Sequence, residues 1–210
     1  MHNRNHPKIK FYNGKTMSEI TASMVNELRQ HTGAGLMECK KALTESNGDF
    51  EKAIVVLKKK GIASAEKKAS RDANQGMIQS YIHPGARVGV LLELKCETDF
   101  VAKNEEFQKL ARDICMHIAA MSPAYISPED VPADVVAKER EVAAAQCKDK
   151  PAQAIERIIE GKLAKWYSEQ CLLKQPYIKN QDQSVESHIA ELIAKIGENI
   201  KVGRFSRFQI

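Results

Sequence analysis

Between residues 77 and 95 the chain has to turn back on itself, and this limits its possible folds more than any other feature. Two segments of strand character, 77–83 and 87–95, flank His83-Pro84-Gly85-Ala86. Pro-Gly is the favoured pair for a tight turn, because proline presets φ and glycine accepts a positive one. In the second arm Val88, Val90, Leu92 and Leu94 alternate, and since successive strand side chains point to opposite faces, one face is buried. Such a face needs a covering layer, and the following sequence supplies helices. Asn104 is placed to cap one whose first turn carries Glu105 and Glu106, suited to the helix dipole, and Phe107, Leu110, Ala111, Ile114 and Ile118 form its apolar stripe. Residues 134–147 and 151–171 read as two further helices, paired as a hairpin across Lys148-Asp149-Lys150, and 184–197 as another. Residues 201–210 return to strand character, with Phe205 and Phe208 among arginines. A third strand joining the hairpin gives a small antiparallel sheet covered by helices, an α+β core.

Ahead of the hairpin lies a different pattern. Thr21 is a good N-cap, with Ile20 and Val25 placed as a hydrophobic staple; Val25 and Leu28 give a stripe that stops before Gly33. Gly33-Ala34-Gly35 makes the turn into a second helix over 36–45. Gly48 closes that helix and Asp49 caps a third, in which Phe50, Ala53, Ile54 and Leu57 share one face and Gly61 is the expected stop. These features predict a three-helix module of the ubiquitin-associated type. The expected organisation is a disordered extension over 1–17, the helical module over 18–61, a Lys- and Ala-rich linker over 62–74 compatible with a helix exposed on most sides, and an α+β core and dimerisation domain over 75–210. The extension is polar and basic, and His2 and His6 in it are assigned no metal role.

The composition excludes several classes. With 28% charged and 43% apolar residues, the chain is neither disordered nor collagen-like. Its net charge of +5, from 32 basic and 27 acidic residues interspersed along the chain, is a mild bias and not a nucleic-acid-binding tail. Cys39, Cys96, Cys115, Cys147 and Cys171 have no metal-ligand spacing, which predicts reduced thiols and a cytoplasmic protein. The longest apolar run, residues 88–92, is too short to cross a bilayer, and no export signal is expected. No nucleophile elbow, phosphate loop, HExxH or paired-carboxylate motif is present. Gly33-Ala34-Gly35 follows a helix instead of a strand and lacks the Lys-Ser/Thr of a phosphate cradle. The expectation is a protein without cofactor, metal or enzymatic activity.

One segment calls for explanation. Cys96-Glu97-Thr98-Asp99-Phe100-Val101-Ala102-Lys103-Asn104 sits where a strand gives way to a capped helix. Phe100 either tucks into the core, with Asp99 or Thr98 capping a turn, or projects as an apolar wedge with Asp99 beside it; residue pattern alone favours the first. At the head of the second helix, adjacent Leu36 and Met37 point about 100° apart, so both cannot easily be buried in so small a module, and one of them is expected to face a partner. An adaptor of the ubiquitin-associated type is one competing reading. RNA binding through Lys58-Lys59-Lys60, Lys67-Lys68 and Arg71 is another, weakened by the lack of interleaved aromatics.

The segments ITASMVNELRQHTGAGLMECKKALTESNGDFEKAI, SYIHPGARVG, KCETDFVAKNEEF and KIGENIKVGRFSRF resemble, in the right order, the N-terminal module, hairpin turn, Thr-Asp-Phe-Val corner and closing strand of the elongation factor Ts family. The hairpin turn differs by an inserted Pro84. The resemblance covers roughly residues 17–210. It implies a guanine nucleotide exchange factor of translation elongation that binds elongation factor Tu carrying GDP and promotes GDP release by disturbing the Mg²⁺ and phosphate site. It overturns the buried reading of Phe100: by position, Asp99 and Phe100, flanked by Thr98 and Val101, intrude on the GTPase. Arg29, Leu36 and Met37 of the helical module and His83 of the hairpin supply further contacts. The single core resembles the short members of the family, which form homodimers. Membrane association and direct nucleic-acid binding are not expected.

Overall fold

The computed structural model describes residues 10–12, 15–17, 20–146 and 151–210. Two short strands, β1 (Lys10–Tyr12) and β2 (Lys15–Met17), pair antiparallel, from Lys10 opposite Met17 to Tyr12 opposite Lys15. This corrects the expectation of a wholly disordered extension. Phe, Tyr and Thr favour strands, which is the physical reason these short arms pair. His2 and His6 lie outside the described residues.

Helices α1 (Ala22–Thr32), α2 (Leu36–Glu45) and α3 (Phe50–Lys68) follow. Thr21 Oγ1 accepts the Met24 N–H at 3.3 Å, Gly33 ends α1 at φ 68°, and Asp49 Oδ1 accepts the Lys52 N–H at 3.0 Å. Val25, Leu28, Cys39, Ala42, Leu43 and Ala53 form the buried centre of this ubiquitin-associated-like module. Gly61 does not end α3, which runs seven residues further. A glycine inside a helix costs only about 1 kcal/mol relative to alanine, and here it lies against a neighbour: a Cβ built on it would be 3.7 Å from the Cβ of Ala194. Much of the expected linker is therefore helix. Met1–Ser70 and Ala190–Gly197 form one compact unit; Arg71–Ile189 and Glu198–Ile210 form the other.

The second unit is built on strands β3 (Gln75–Ile82) and β4 (Val88–Cys96). A short helix α4 (Asp99–Ala102) and the long α5 (Glu105–Met121) follow. After a 3-10 turn at Pro128–Asp130 come α6 (Ala133–Ala145) and α7 (Ala152–Gln170). A second 3-10 turn at Leu172–Lys174 leads into a small hairpin of β5 (Pro176–Tyr177) and β6 (Asn180–Ser184), which the sequence reading did not anticipate. Helix α8 (Val185–Ile196), whose residues are divided between the two units, and the closing strand β7 (Ile200–Gln209) complete the chain.

The sheet order is β3-β4-β7, all antiparallel, with β4 central. Val90, Leu92, Leu94 and Cys96 face inward, where α5 covers them with Phe107, Leu110, Ala111, Ile114 and Ile118, all buried. The fold is thus α+β, and the alternation in β4 and the stripe of α5 are its two halves. Helices α6 and α7 pack on each other through Ala143, Ile159 and Leu163. Arg140 pairs with Glu156 and Glu160 across them. Residues 148–150, across which the two helices were expected to pair, lie outside the described residues. On the far side of α5 a buried polar set ties down the β5–β6 hairpin. His117 Nδ1 accepts the Ile178 N–H at 3.2 Å, and its Nε2 lies 2.8 Å from Gln175 Oε1. Asp113 accepts from Tyr177 at 3.2 Å and from Lys179 at 2.6 Å.

Candidate partner-docking site

At the end of β4 the chain changes from strand to helix within three residues, and the side chains decide how. Cys96 is the last residue paired with β7, opposite Ile200. Thr98, in extended conformation, caps α4: its Oγ1 accepts the Val101 N–H at 3.3 Å and its carbonyl accepts the Ala102 N–H at 3.3 Å. Hydroxyl capping of this kind satisfies a helix-terminal N–H that has no partner in the backbone. The turn is closed again almost at once, as the Phe100 and Val101 carbonyls accept from Lys103 and Asn104 at 3.2 and 2.9 Å. Asn104 Oδ1 then accepts the Glu106 N–H at 2.8 Å and starts α5.

This one-turn helix sorts its side chains sharply. Val101 is 6% exposed and anchors the turn in the core, whereas the Phe100 ring is 78% exposed. Asp99 stands in solvent beside it, its carboxylate 2.8 Å from Lys103 Nζ. The hydrogen bond and charge of that ammonium hold the Asp99 carboxyl below the usual carboxylate range, so it is an anion at neutral pH. Below the turn Cys96 is buried, and burial followed by the nearby Glu198 carboxylate pushes its thiol upward; the Sγ–H donates to the Thr98 carbonyl at 3.1 Å. The result is an apolar ring and a carboxylate projecting from a turn whose own groups are satisfied.

The other expected contact residues fall in two places. His83 opens the β3–β4 turn: its N–H donates to the Val88 carbonyl and its carbonyl accepts from Ala86, both at 2.9 Å. Gly85 at φ 90° and Ala86 at φ 55° take the left-handed positions that absorb Pro84. The exposed imidazole lies 3.0 Å from the Tyr81 hydroxyl. Seven residues separate Gly89, which pairs with Ile82 at that end, from Cys96 at the other, so at about 3.4 Å per residue His83 and Phe100 stand roughly 24 Å apart along the sheet. The structure does not bring them together. In the helical unit, Arg29 is exposed near the end of α1, and Leu36 and Met37 open α2 at 44% and 62% exposed. Both apolar residues face water, where the sequence required only one to do so. Gly33 and Gly35 serve as C-cap of α1 and N-cap of α2, a helix-to-helix turn.

Sequence reasoning missed Glu198. This residue, just before β7, accepts the Thr98 N–H at 3.0 Å through Oε2 and the Thr98 hydroxyl at 2.7 Å through Oε1. It lies within the stretch that resembles the closing strand, but nothing local signals a contact one hundred residues away.

The site is therefore a projecting apolar and anionic prong on a well-tied turn, the form of a protein that acts by docking on another. Among the described residues no group of three His, Cys, Asp or Glu side chains is placed to hold a metal ion, and no helix is long and apolar enough to cross a membrane. Comparison with known proteins gives the class a family. The family model for elongation factor Ts matches residues 13–191. The chain is 57% identical to elongation factor Ts of Fervidobacterium nodosum over 194 residues, 91% of this chain and 98% of that protein. It is 58% identical to that of Thermodesulfovibrio yellowstonii, over 91% of this chain and 96% of the relative, and 55% identical to that of Carboxydothermus hydrogenoformans, over 91% and 89%. The chain belongs to the elongation factor Ts family and is a translation elongation factor by that membership.

Proposed function

We propose that this protein is the guanine nucleotide exchange factor of elongation factor Tu, binding its GDP form and promoting GDP release by disturbing the Mg²⁺ and phosphate site, without covalent chemistry of its own. The exposure of Phe100 on a capped turn carries the reading. An apolar ring left in water gains only when another surface covers it, and Asp99 beside it brings a negative charge to the same place. An anion introduced near a cation and phosphates competes for the first and repels the second.

The energetics are those of linkage. A protein that binds the nucleotide-free GTPase better than the loaded one weakens nucleotide binding by the same factor. A shift of about 10⁴ requires roughly 5.5 kcal/mol of differential binding, whereas burying one Phe supplies about 1.5–3 kcal/mol. Contacts by Leu36, Met37 and Arg29, with His83 on the hairpin, are assigned the remainder. Thr98 and Val101 act by holding the prong, one as cap and one as anchor.

The working form is proposed to be a homodimer in the cytoplasm. The outer face of the sheet supports this, since Ile78, Ile82, Leu91 and Phe208 stand exposed on it, and a shallow cavity of about 530 Å³ opens between the Ile82 and Phe208 ends of its strands. Cys39, Cys96, Cys115 and Cys171 are buried free thiols, in keeping with a reducing compartment. The deciding experiment is release of fluorescent GDP from elongation factor Tu by stopped flow. Acceleration by this protein is expected; a release rate equal to that of the GTPase alone overturns the function.

A further inference from the structure

We propose that Glu198 is a positioning residue for exchange, setting the prong rigidly through a side-chain extension of the sheet; this rests on the reading of Phe100 given above. The β4–β7 ladder ends at Cys96 opposite Ile200. Beyond it, two carboxylates take the place of backbone carbonyls in a reciprocal exchange. Glu97 Oε1 accepts the Asn199 N–H at 2.6 Å, and Glu198 Oε2 accepts the Thr98 N–H at 3.0 Å while its Oε1 takes the Thr98 hydroxyl at 2.7 Å. Asn199, 2% exposed, is fixed from behind as its Nδ2 donates to the Arg71 carbonyl at 2.7 Å.

This arrangement has a directional consequence. The Thr98 hydroxyl has one proton, and giving it to Glu198 leaves its lone pairs free for the Val101 N–H at 3.3 Å. Glu198 thereby selects the hydroxyl rotamer that caps the turn bearing Phe100. Hydrogen bonds to an ionised acceptor are about twice as strong as neutral ones, and a four-residue helix has too few backbone bonds of its own to stay formed. Without Glu198 the turn still has Val101 in the core, but the ring can wander, and the step that displaces the nucleotide must then order it.

The test compares Glu198→Ala, Phe100→Ala and the double variant by GDP release from elongation factor Tu over a range of exchange-factor concentrations. Glu198→Ala is expected to lower the saturating rate about tenfold, the scale of one charge-assisted hydrogen bond, with the half-saturating concentration nearly unchanged. In the double variant it should add nothing to the loss caused by Phe100→Ala, since a prong that is absent has no need of positioning. Glu198→Gln, which keeps an acceptor oxygen, should recover much of the rate. Amide hydrogen exchange should quicken at Val101 and Ala102 in Glu198→Ala and stay slow at Leu92 and Leu94. Full saturating rate in Glu198→Ala, with those two amides deprotected, overturns the positioning role while leaving the prong intact. Additive losses in the double variant also overturn it. If Phe100→Ala itself leaves the rate unchanged, the reading of the prong fails first.

Discussion

Phe100 and Val101 are neighbours with opposite commitments. Val101 is nearly sealed in the core and Phe100 nearly bare, so the same truncation should give opposite phenotypes. Val101→Ala removes buried methyl groups and is expected to lower stability by about 1–3 kcal/mol. Phe100→Ala leaves a well-tied turn and should move stability by no more than about 0.5 kcal/mol, yet slow GDP release severely. Chemical denaturation and stopped-flow release on both variants check the contrast. His117 makes a separate prediction. Its Nδ1 accepts the Ile178 N–H, so the proton sits on Nε2 and a second proton would meet a donor head-on. Burial, partly opposed by Gln175, lowers its pKa from the usual 6.5. The unfolded chain therefore takes up a proton that the folded one refuses, and stability is complete above pH 6.5 and declines below it. Melting temperature should fall as pH drops from 6.5, in a His117-dependent manner. A pH slope unchanged in His117→Gln refutes the assignment.

At the scale of elements, Gly61 sits inside α3 with ordinary contact distances around the place of a Cβ, 3.7 Å to Ala194 and 3.9 Å to the Ala190 carbonyl. Gly61→Ala should stabilise by about 0.5–1 kcal/mol; a decrease on thermal denaturation means the space is tighter than it looks. The same residue shows what local pattern conveys. Thr21, Asp49 and Asn104 announce their helices because a cap acts within three residues, and Val90, Leu92 and Leu94 announce their strand because burial follows the pleat. Whether a glycine stops a helix depends on what lies opposite, here residues far along the chain, and so α3 could not be bounded from its own sequence. Likewise the β5–β6 hairpin is held by Asp113 and His117 of α5 and carries little pattern of its own. The exposure of Phe100 was legible only through resemblance to a family, since residue pattern alone favours a buried aromatic at a strand end.

At the scale of the molecule, the sheet has one face covered by α5 and another carrying Ile78, Ile82, Leu91 and Phe208 toward solvent. A second copy covering that face needs to bury about 1,200–2,000 Å² in total to be stable. Light scattering at micromolar concentration is expected to give twice the 23.5 kDa chain mass. Leu91 lies beside Ser80 and Ser206 in the register, so Leu91→Asp should leave the fold intact and return the mass to that of a monomer. A dimer that survives this change is assembled elsewhere.

The tie between Thr98 and Glu198 also bears on when the protein becomes competent. Synthesis runs from the N-terminus at about 5–20 residues per second, so Phe100 emerges well before the strand that fixes its support. For several seconds the ribosome would hold a chain whose first helices can fold but whose prong has no backing. An unfinished copy thus carries Phe100 before the residue that sets it for exchange has been made.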